Sequence, residues 1–263
     1  PLARGPIARG LGIVKLLLGV REARRLLRRL EPAAVIGFGG YPSVPTMIAA
    51  SRTRVATAIH EQNAVLGRAN RLLASRVLRI ATSFEQTSGI ASADRSKIAM
   101  TGNPVRASIA ELATSAYPIP EHDGPLRLLI IGGSQGARVF AELVPAALTL
   151  LPPQIRTRLS VVHQCRPEDM QQVRARHAAD GIQAECAVFF EDLPTRLESA
   201  HLVICRAGAS TVAELAAAGR PAILVPFPFA TDNHQSANAR ALEAAGGAIL
   251  LAEAEATAGR LAE

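Results

Sequence analysis

Leu126-Arg127-Leu128-Leu129-Ile130-Ile131-Gly132-Gly133-Ser134-Gln135-Gly136-Ala137 is the stretch on which the fold class turns. Six residues with one charge run straight into a glycine-rich turn, and a helical pattern follows. That reads as a strand buried on both faces that hands over to a helix. Toward the C-terminus, residues 159–164, 187–190, 202–205 and 222–226 read as further strands, each separated by a helix. Toward the N-terminus, 33–38, 55–59, 77–81 and 98–100 keep the same rhythm, with helices through 47–50 and 70–74. Apolar strands alternating with amphipathic helices predict parallel sheets covered on both faces, here two of them. Between the two series, the stretch from 108 to 124 loses periodicity and collects Pro118, Pro120, Asp123 and Gly124. It reads as a linker between a domain over 1–107 and one over 125–263.

Composition narrows the functional classes. The 263 residues are 49% hydrophobic and 19% charged, which supports a real core and excludes a disordered or fibrous chain. Cys165, Cys186 and Cys205 form no C-x-x-C pair and are odd in number, which argues against a disulfide scaffold or zinc site and fits a reducing compartment. The net charge is +7, and residues 1–30 hold eight basic residues against the single acid Glu22, so that segment carries all of the excess. A nucleic-acid binder would spread its positive charge along a groove with stacking aromatics. Here the charge flanks a bare apolar run, which points to an anionic surface and not to nucleic acid.

The chain opens on Pro1-Leu2-Ala3-Arg4, without Met, and the apolar stretch 11–20 leads into a basic helix with no small-residue cleavage pattern, unlike a signal peptide. It is also shorter than the ~20 apolar residues a bilayer span needs. Leu16, Val20, Ala23, Leu27 and Leu30 make one stripe suited to a core. Ile13, Val14, Leu17 and Leu18 lie outside it, ringed by Arg9, Lys15 and Arg21. One reading is a helix buried on two sides; the other is a patch over residues 9–29 that dips into anionic headgroups.

In parallel sheets ligands bind beyond the C-terminal ends of the strands, and the polar clusters fall there. The turn 132–137 lets a backbone approach a phosphate at a helix N-terminus. It is neither a Walker loop nor a G-x-G-x-x-G fingerprint, so it also suits a plain tight turn. A second strand-to-helix turn runs Arg206-Ala207-Gly208-Ala209-Ser210-Thr211, with Ser210 or Thr211 fit to cap and Glu214 expected in the first helical turn. Glu214 is then either a capping partner or a carboxylate that accepts from the two hydroxyls of a ribose. His60-Glu61-Gln62-Asn63 directly after a buried strand favours a functional loop, with His60 and Glu61 as candidate bases. Asp232-Asn233-His234-Gln235 is a similar concentration. His122, His163, His177 and His201 have no partner at metal-ligand spacing and read as surface or core filler. No Asp-x-Asp motif for a metal–diphosphate complex is present, so no metal and no cofactor is expected; glycine turns, helix N-termini and Arg106 would meet a diphosphate instead.

Gly39-Gly40-Tyr41, His60-Glu61-Gln62-Asn63, Gly102-Asn103-Pro104-Val105-Arg106, the turn 132–137 and the segment from Cys205 to Glu214 occur in that order. This set resembles the MurG family of bacterial peptidoglycan N-acetylglucosaminyltransferases over nearly the whole chain. The resemblance implies a GT-B fold of two Rossmann-like domains facing across a cleft. It implies transfer of N-acetylglucosamine from UDP-GlcNAc to the muramyl 4-hydroxyl of lipid I, giving lipid II with inversion. Asn63, Arg106, Ser134 and Gln235 match the family's donor-contacting positions, as do Ala209, Ser210, Thr211, Val212, Ala213 and Glu214. Phe190 falls where an aliphatic residue meets uracil through its backbone. Gly39, Gly40 and Tyr41 match the acceptor-side diphosphate site. The resemblance further implies a peripheral protein on the cytoplasmic face of the inner membrane, within a cell-wall synthesis complex that serves cell shape and division. Departures go with it: the family's first strand, its Gly-rich loop with the favoured base histidine, and its final helices are absent. His60 and Glu61 are second choices as base. The alternatives are another GT-B UDP-sugar transferase acting on a lipid acceptor, or a non-catalytic fragment that binds UDP-sugar or docks on membrane.

Overall fold

A computed structural model describes residues 6–133 and 137–263. The chain divides into two compact units, Pro1–Asn103 and Pro104–Glu263.

In the first unit, α1 (Pro6–Leu30) leads to β1 (Ala34–Gly37), α2 (Ser43–Ala50), β2 (Ala56–Glu61), α3 (Arg68–Leu73), β3 (Arg79–Thr82) and β4 (Ile98–Met100). The strands form a parallel sheet in the order β1-β2-β3-β4. Ile59 and Ile80, both fully buried, pack with Val44, Met47, Leu66 and Leu73 to form its core. The predicted stripe of α1 packs largely as read, with Ala23 and Leu27 buried against Ala49 and Ala50 of α2. Leu30, the last member of the stripe, is exposed instead, because the helix ends there and Glu31 turns away with φ 44°. A Cβ on Gly19 would sit 3.3 Å from the Pro45 side chain, so glycine lets α1 and α2 approach closely.

The second unit contains α4 (Ala107–Ala110), β5 (Leu126–Ile131), α5 (Arg138–Thr149), α6 (Pro153–Arg156), β6 (Leu159–Gln164), α7 (Met170–Ala179), β7 (Gln183–Ala187), α8 (Leu193–Ser199), β8 (Leu202–Cys205), α9 (Ala209–Ala218), β9 (Ala222–Leu224), α10 (His234–Ala244), β10 (Ala248–Leu250) and α11 (Ala258–Ala262). Its six parallel strands run β10-β9-β8-β5-β6-β7. Counted from the first strand of the unit, that is the doubly wound order 3-2-1-4-5-6, in which the chain reverses direction between β5 and β8. Leu128, Ile130, Phe140, Val144, Val161, Ile204 and Val225 make up the core beneath α5. Residues 107–114 are helical, and Ile109 and Leu112 are buried.

Two elements differ from the sequence reading. The strand expected at 187–190 lies earlier, at Gln183–Ala187, and β10 was not anticipated. Both sit at the edges of the sheet: β7 dilutes its apolar run with Gln183 and Glu185, and β10 is only three residues long. Val188 and Phe189, whose apolarity drew the prediction, are exposed after the strand has ended.

All three cysteines are free and buried, and all lie in the second unit. Read singly as filler, His163 and His177 instead form a buried pair, with His163 Nδ1 3.2 Å from His177 Nε2. Burial first, and His177 second, hold the His163 imidazolium down to about 3, while burial also lowers His177 against the opposing pull of Asp180. Both rings are therefore neutral in the folded state at neutral pH, whereas in the unfolded chain each takes a proton near 6.5. The unfolded state then binds more protons below that value, so stability is full above about pH 6.5 and declines as pH falls toward 3. Urea denaturation at pH 7.5 and pH 5 should show this loss in the second unit, and His163→Gln should flatten it.

Candidate functional site

At the C-terminal end of β5 the chain enters Gly132-Gly133. Gly133 has φ +81°, and among the described residues a Cβ placed there would meet nothing within 4 Å, so the residue is needed for its backbone conformation. Gln164, at the end of the neighbouring β6, holds this turn: its Oε1 accepts from the Gly132 N–H at 3.1 Å and its Nε2 donates to the Gly133 carbonyl at 3.3 Å. Ser134 lies outside the described residues.

Across the reversal point, β8 ends at Cys205 and Gly208 is the N-cap of α9, with no side-chain cap. Ser210 and Thr211 are inside the first turn rather than at the cap, because Gly208 takes that place. Glu214 sits in the second turn, too far along to cap the helix end. Its Oε1 instead accepts from Arg106 Nη2 at 3.0 Å and Arg106 Nε at 3.2 Å. Two residues 108 apart in sequence, both carried over from the family's donor site, are thus brought into one ion pair on α9. Val212 of the same segment is buried, and Ala209 and Ala213 are half-buried.

Gln235, in the first turn of α10, points its Oε1 at the Phe227 N–H at 2.9 Å, which sets the course of the loop after β9. Arg206 donates to the carbonyls of Val225 and Pro226 and pairs with Glu253, fastening the ends of β8 and β9 together. Asn238, fully buried, donates to the Ala207 carbonyl at 3.1 Å. Phe190 is buried beneath the Arg196 guanidinium, 4.2 Å from its ring centroid, so at that position its side chain serves packing. Arg196 is held by Glu185 and Asp192, and its hydrogen bond lowers the Asp192 carboxyl from the ordinary range. Gln164 and Asn238 escaped the sequence reading, in which Arg206 figures only as part of its turn. Each is a single polar residue at or just beyond a strand or on a helix face, with no spacing pattern to mark it.

In the first unit, Gly39 and Gly40 have φ +80° and +72°, and a Cβ on Gly39 would press to 3.3 Å from the Asn70 amide. Tyr41, beside them, is exposed. His60 and Glu61 are buried, and their hydrogen bonds define their role. His60 Nε2 lies 2.9 Å from the Gly102 carbonyl and so carries the proton, while its Nδ1 accepts from Gln62 Nε2 at 3.0 Å. Glu61 Oε1 accepts from the N–H and the side-chain amide of Asn63, each at 3.1 Å. Its Oε2 accepts from Gly67 N–H at 2.9 Å and Asn70 Nδ2 at 2.8 Å. A carboxylate has about four acceptor positions, and here four donors fill them. Neither His60 nor Glu61 has a lone pair left for proton abstraction, so this geometry makes them organisers of the loop that carries Asn63.

Val14, Leu17 and Leu18 of α1 are exposed, as are Lys15 and Arg21. The side chains of Arg9 and Ile13 lie outside the described residues. Among the described residues no helix is long and apolar enough to cross a membrane, and no group of three or more His, Cys, Asp or Glu could hold a metal ion.

The glycosyltransferase family 28 C-terminal domain matches residues 127–263, and the family's N-terminal domain matches residues 8–82. A relative from Rhodospirillum rubrum is 57% identical over 263 residues, covering 99% of this chain and 66% of its own length. One from Rhodospirillum centenum is 53% identical over 261 residues, covering 99% and 69%. Both are named UDP-N-acetylglucosamine–N-acetylmuramyl-(pentapeptide) pyrophosphoryl-undecaprenol N-acetylglucosamine transferase. The crystal structure of Acinetobacter baumannii MurG superimposes with a TM-score of 0.78 at 34% identity, over 95% of this chain and 69% of that one. The chain thus spans about two thirds of the length of these relatives. With both family domains matched and more than half of its residues shared with such relatives, the chain belongs to glycosyltransferase family 28, among the MurG transferases.

Proposed function

We propose that this chain carries the transfer of N-acetylglucosamine from UDP-GlcNAc to the muramyl 4-hydroxyl of lipid I, undecaprenyl-diphospho-MurNAc-pentapeptide, giving lipid II with inversion at the anomeric carbon. The observation that carries the reading is the identity of 53–57% over 99% of the chain with relatives named for that transfer. The second unit supplies the physical support. Its doubly wound sheet reverses between β5 and β8, the place where such sheets receive nucleotides. The Gly132-Gly133 turn and the uncapped N-terminus of α9 supply backbone dipoles for a diphosphate. Glu214 would hold the ribose hydroxyls, releasing Arg106 to a phosphate; Gln235 and the segment 209–213 would contact the donor around them. Ser134, Asn63 and the backbone at Phe190 complete the proposed donor contacts, and Gly39, Gly40 and Tyr41 the acceptor-side diphosphate site.

The reaction is a single in-line displacement. A base takes the acceptor hydroxyl proton, the oxocarbenium-like anomeric carbon moves to that oxygen, and UDP departs onto fixed dipoles. The base is a group other than His60 and Glu61, whose lone pairs are engaged. The test is lipid I-dependent release of UDP from UDP-GlcNAc, measured on this chain and on one extended to its relatives' length. Transfer in either supports the reading; no transfer in both rejects it.

The same proposal places α1 on the cytoplasmic face of the inner membrane, with Leu17 and Leu18 among the headgroups and Lys15 and Arg21 on anionic lipid. Burying a leucine side chain contributes about 1.5–3 kcal/mol. Leu17→Glu with Leu18→Glu should therefore reduce partitioning onto anionic vesicles at least about tenfold in a sedimentation assay, and salt should weaken the binding of the unaltered chain.

A further inference from the structure

Gln164 has a part in this site that its position at the end of a strand does not announce. The residue ends β6, the strand between β5 and β7 in the sheet, and it is buried. On one side its amide grips the turn after β5, accepting from Gly132 N–H and donating to the Gly133 carbonyl. On the other it donates to the Val188 carbonyl at 3.0 Å, just after β7 and two residues before Phe190. One planar amide thus spans three adjacent strand ends and satisfies the backbone groups of both flanking loops. The Gly132 N–H is already spent on Gln164, so the turn owes its shape to this side chain and not to a ligand. Gly133, left-handed and with no described residue within 4 Å of where a Cβ would project, is the part left for a phosphate to approach.

We infer that Gln164 is a positioning residue for the donor nucleotide, holding the Gly132-Gly133 turn in register with the base-side loop 188–190 so that diphosphate and base are met together. The inference rests on the nucleotide site proposed above. It explains why a buried amide sits where another aliphatic residue would extend the core: an aliphatic side chain would leave the Gly132 N–H and the two carbonyls without partners. Gln164→Glu makes the point isosterically. One oxygen still accepts from Gly132, while the other, placed where the NH2 group was, faces two carbonyls as an acceptor with nothing to donate.

The test compares UDP with uridine by calorimetric or NMR titration of the unaltered chain, Gln164→Glu and Gln164→Met. Expected is at least a tenfold loss of UDP affinity in both variants with a clearly smaller proportional loss for uridine, since both ligands use the base-side loop but only UDP presents phosphates to the turn. An equal proportional loss for both ligands would mean that Gln164 serves general folding, and no loss for UDP would mean that the turn holds its shape alone; either result overturns the inference. The unaltered chain gives a check that depends on no variant: the Gly132 amide should exchange slowly with solvent without nucleotide, and fast exchange overturns the inference too. Failure of the unaltered chain to bind UDP is a separate result, which rejects the nucleotide site itself.

Discussion

Glu61→Ala should lower the unfolding free energy of the first unit by about 3–5 kcal/mol, because it strands several neutral donors that share one buried acceptor. The alanine would leave Asn63 N–H, Gly67 N–H and the Asn70 amide without their acceptors, all around a carboxylate only 2% exposed. Each buried donor so stranded costs about 1–3 kcal/mol. Glu61→Gln keeps the shape but turns an NH2 group toward one pair of those donors, so it should also destabilise. Urea denaturation followed by a probe in the first unit reads the change. A loss below about 1 kcal/mol would mean that solvent replaces the carboxylate, and the loop 62–67 would then need another explanation for its order. The stability experiment separates the structural role of Glu61 from a catalytic one, which a kinetic assay alone would merge.

Glu214→Ala should weaken UDP binding by about 1–3 kcal/mol, the usual range for hydrogen bonds to a charged group, or roughly 5- to 150-fold. The ion pair with Arg106 shapes the details. In the unliganded chain Arg106 holds Oε1 of the Glu214 carboxylate, so under the proposed ribose contact the nucleotide competes with the guanidinium for that oxygen. Arg106→Ala removes that competitor but also a cation for the phosphates. Calorimetric titration of both single variants and the double variant therefore gives a coupling energy different from zero. Uridine, without phosphates, should bind Arg106→Ala at least as well as the unaltered chain. Unchanged UDP affinity in Glu214→Ala would reduce this residue to a surface partner of Arg106. The pair itself, half open to water, adds little to stability.

Much of this architecture could be read from residue order. Strands such as Leu126–Ile131 and Leu202–Cys205 lie in the middle of the second sheet, and their apolar runs, broken only by Arg127, leave little choice of structure. At the sheet edges the code weakens: Gln183–Ala187 is half exposed and polar, and the more apolar Val188-Phe189 drew the strand away from it. The site was legible where glycines mark a backbone requirement, as at Gly132-Gly133 and Gly208. It was less legible where polar density suggests chemistry: His60 and Glu61 look reactive in sequence, and nothing there reveals that Gly102, Gly67 and Asn70 fold back onto them. The partnership of Arg106 with Glu214 could not be read from spacing, since tertiary folding alone joins residues so far apart. Gln164 was hidden for the opposite reason, a lone amide inside a run that reads as strand.

The placement of the three thiols has a practical consequence. Cys165, Cys186 and Cys205 are shielded within residues 104–263, and the other half of the chain has none. Burial also raises the Cys205 thiol to about 12, well out of the reactive range. Alkylation of Cys205 in native buffer can therefore advance only when that half opens. The mass gained per unit time becomes a clock for one half of the molecule, running without any engineered label and blind to whatever the other half does.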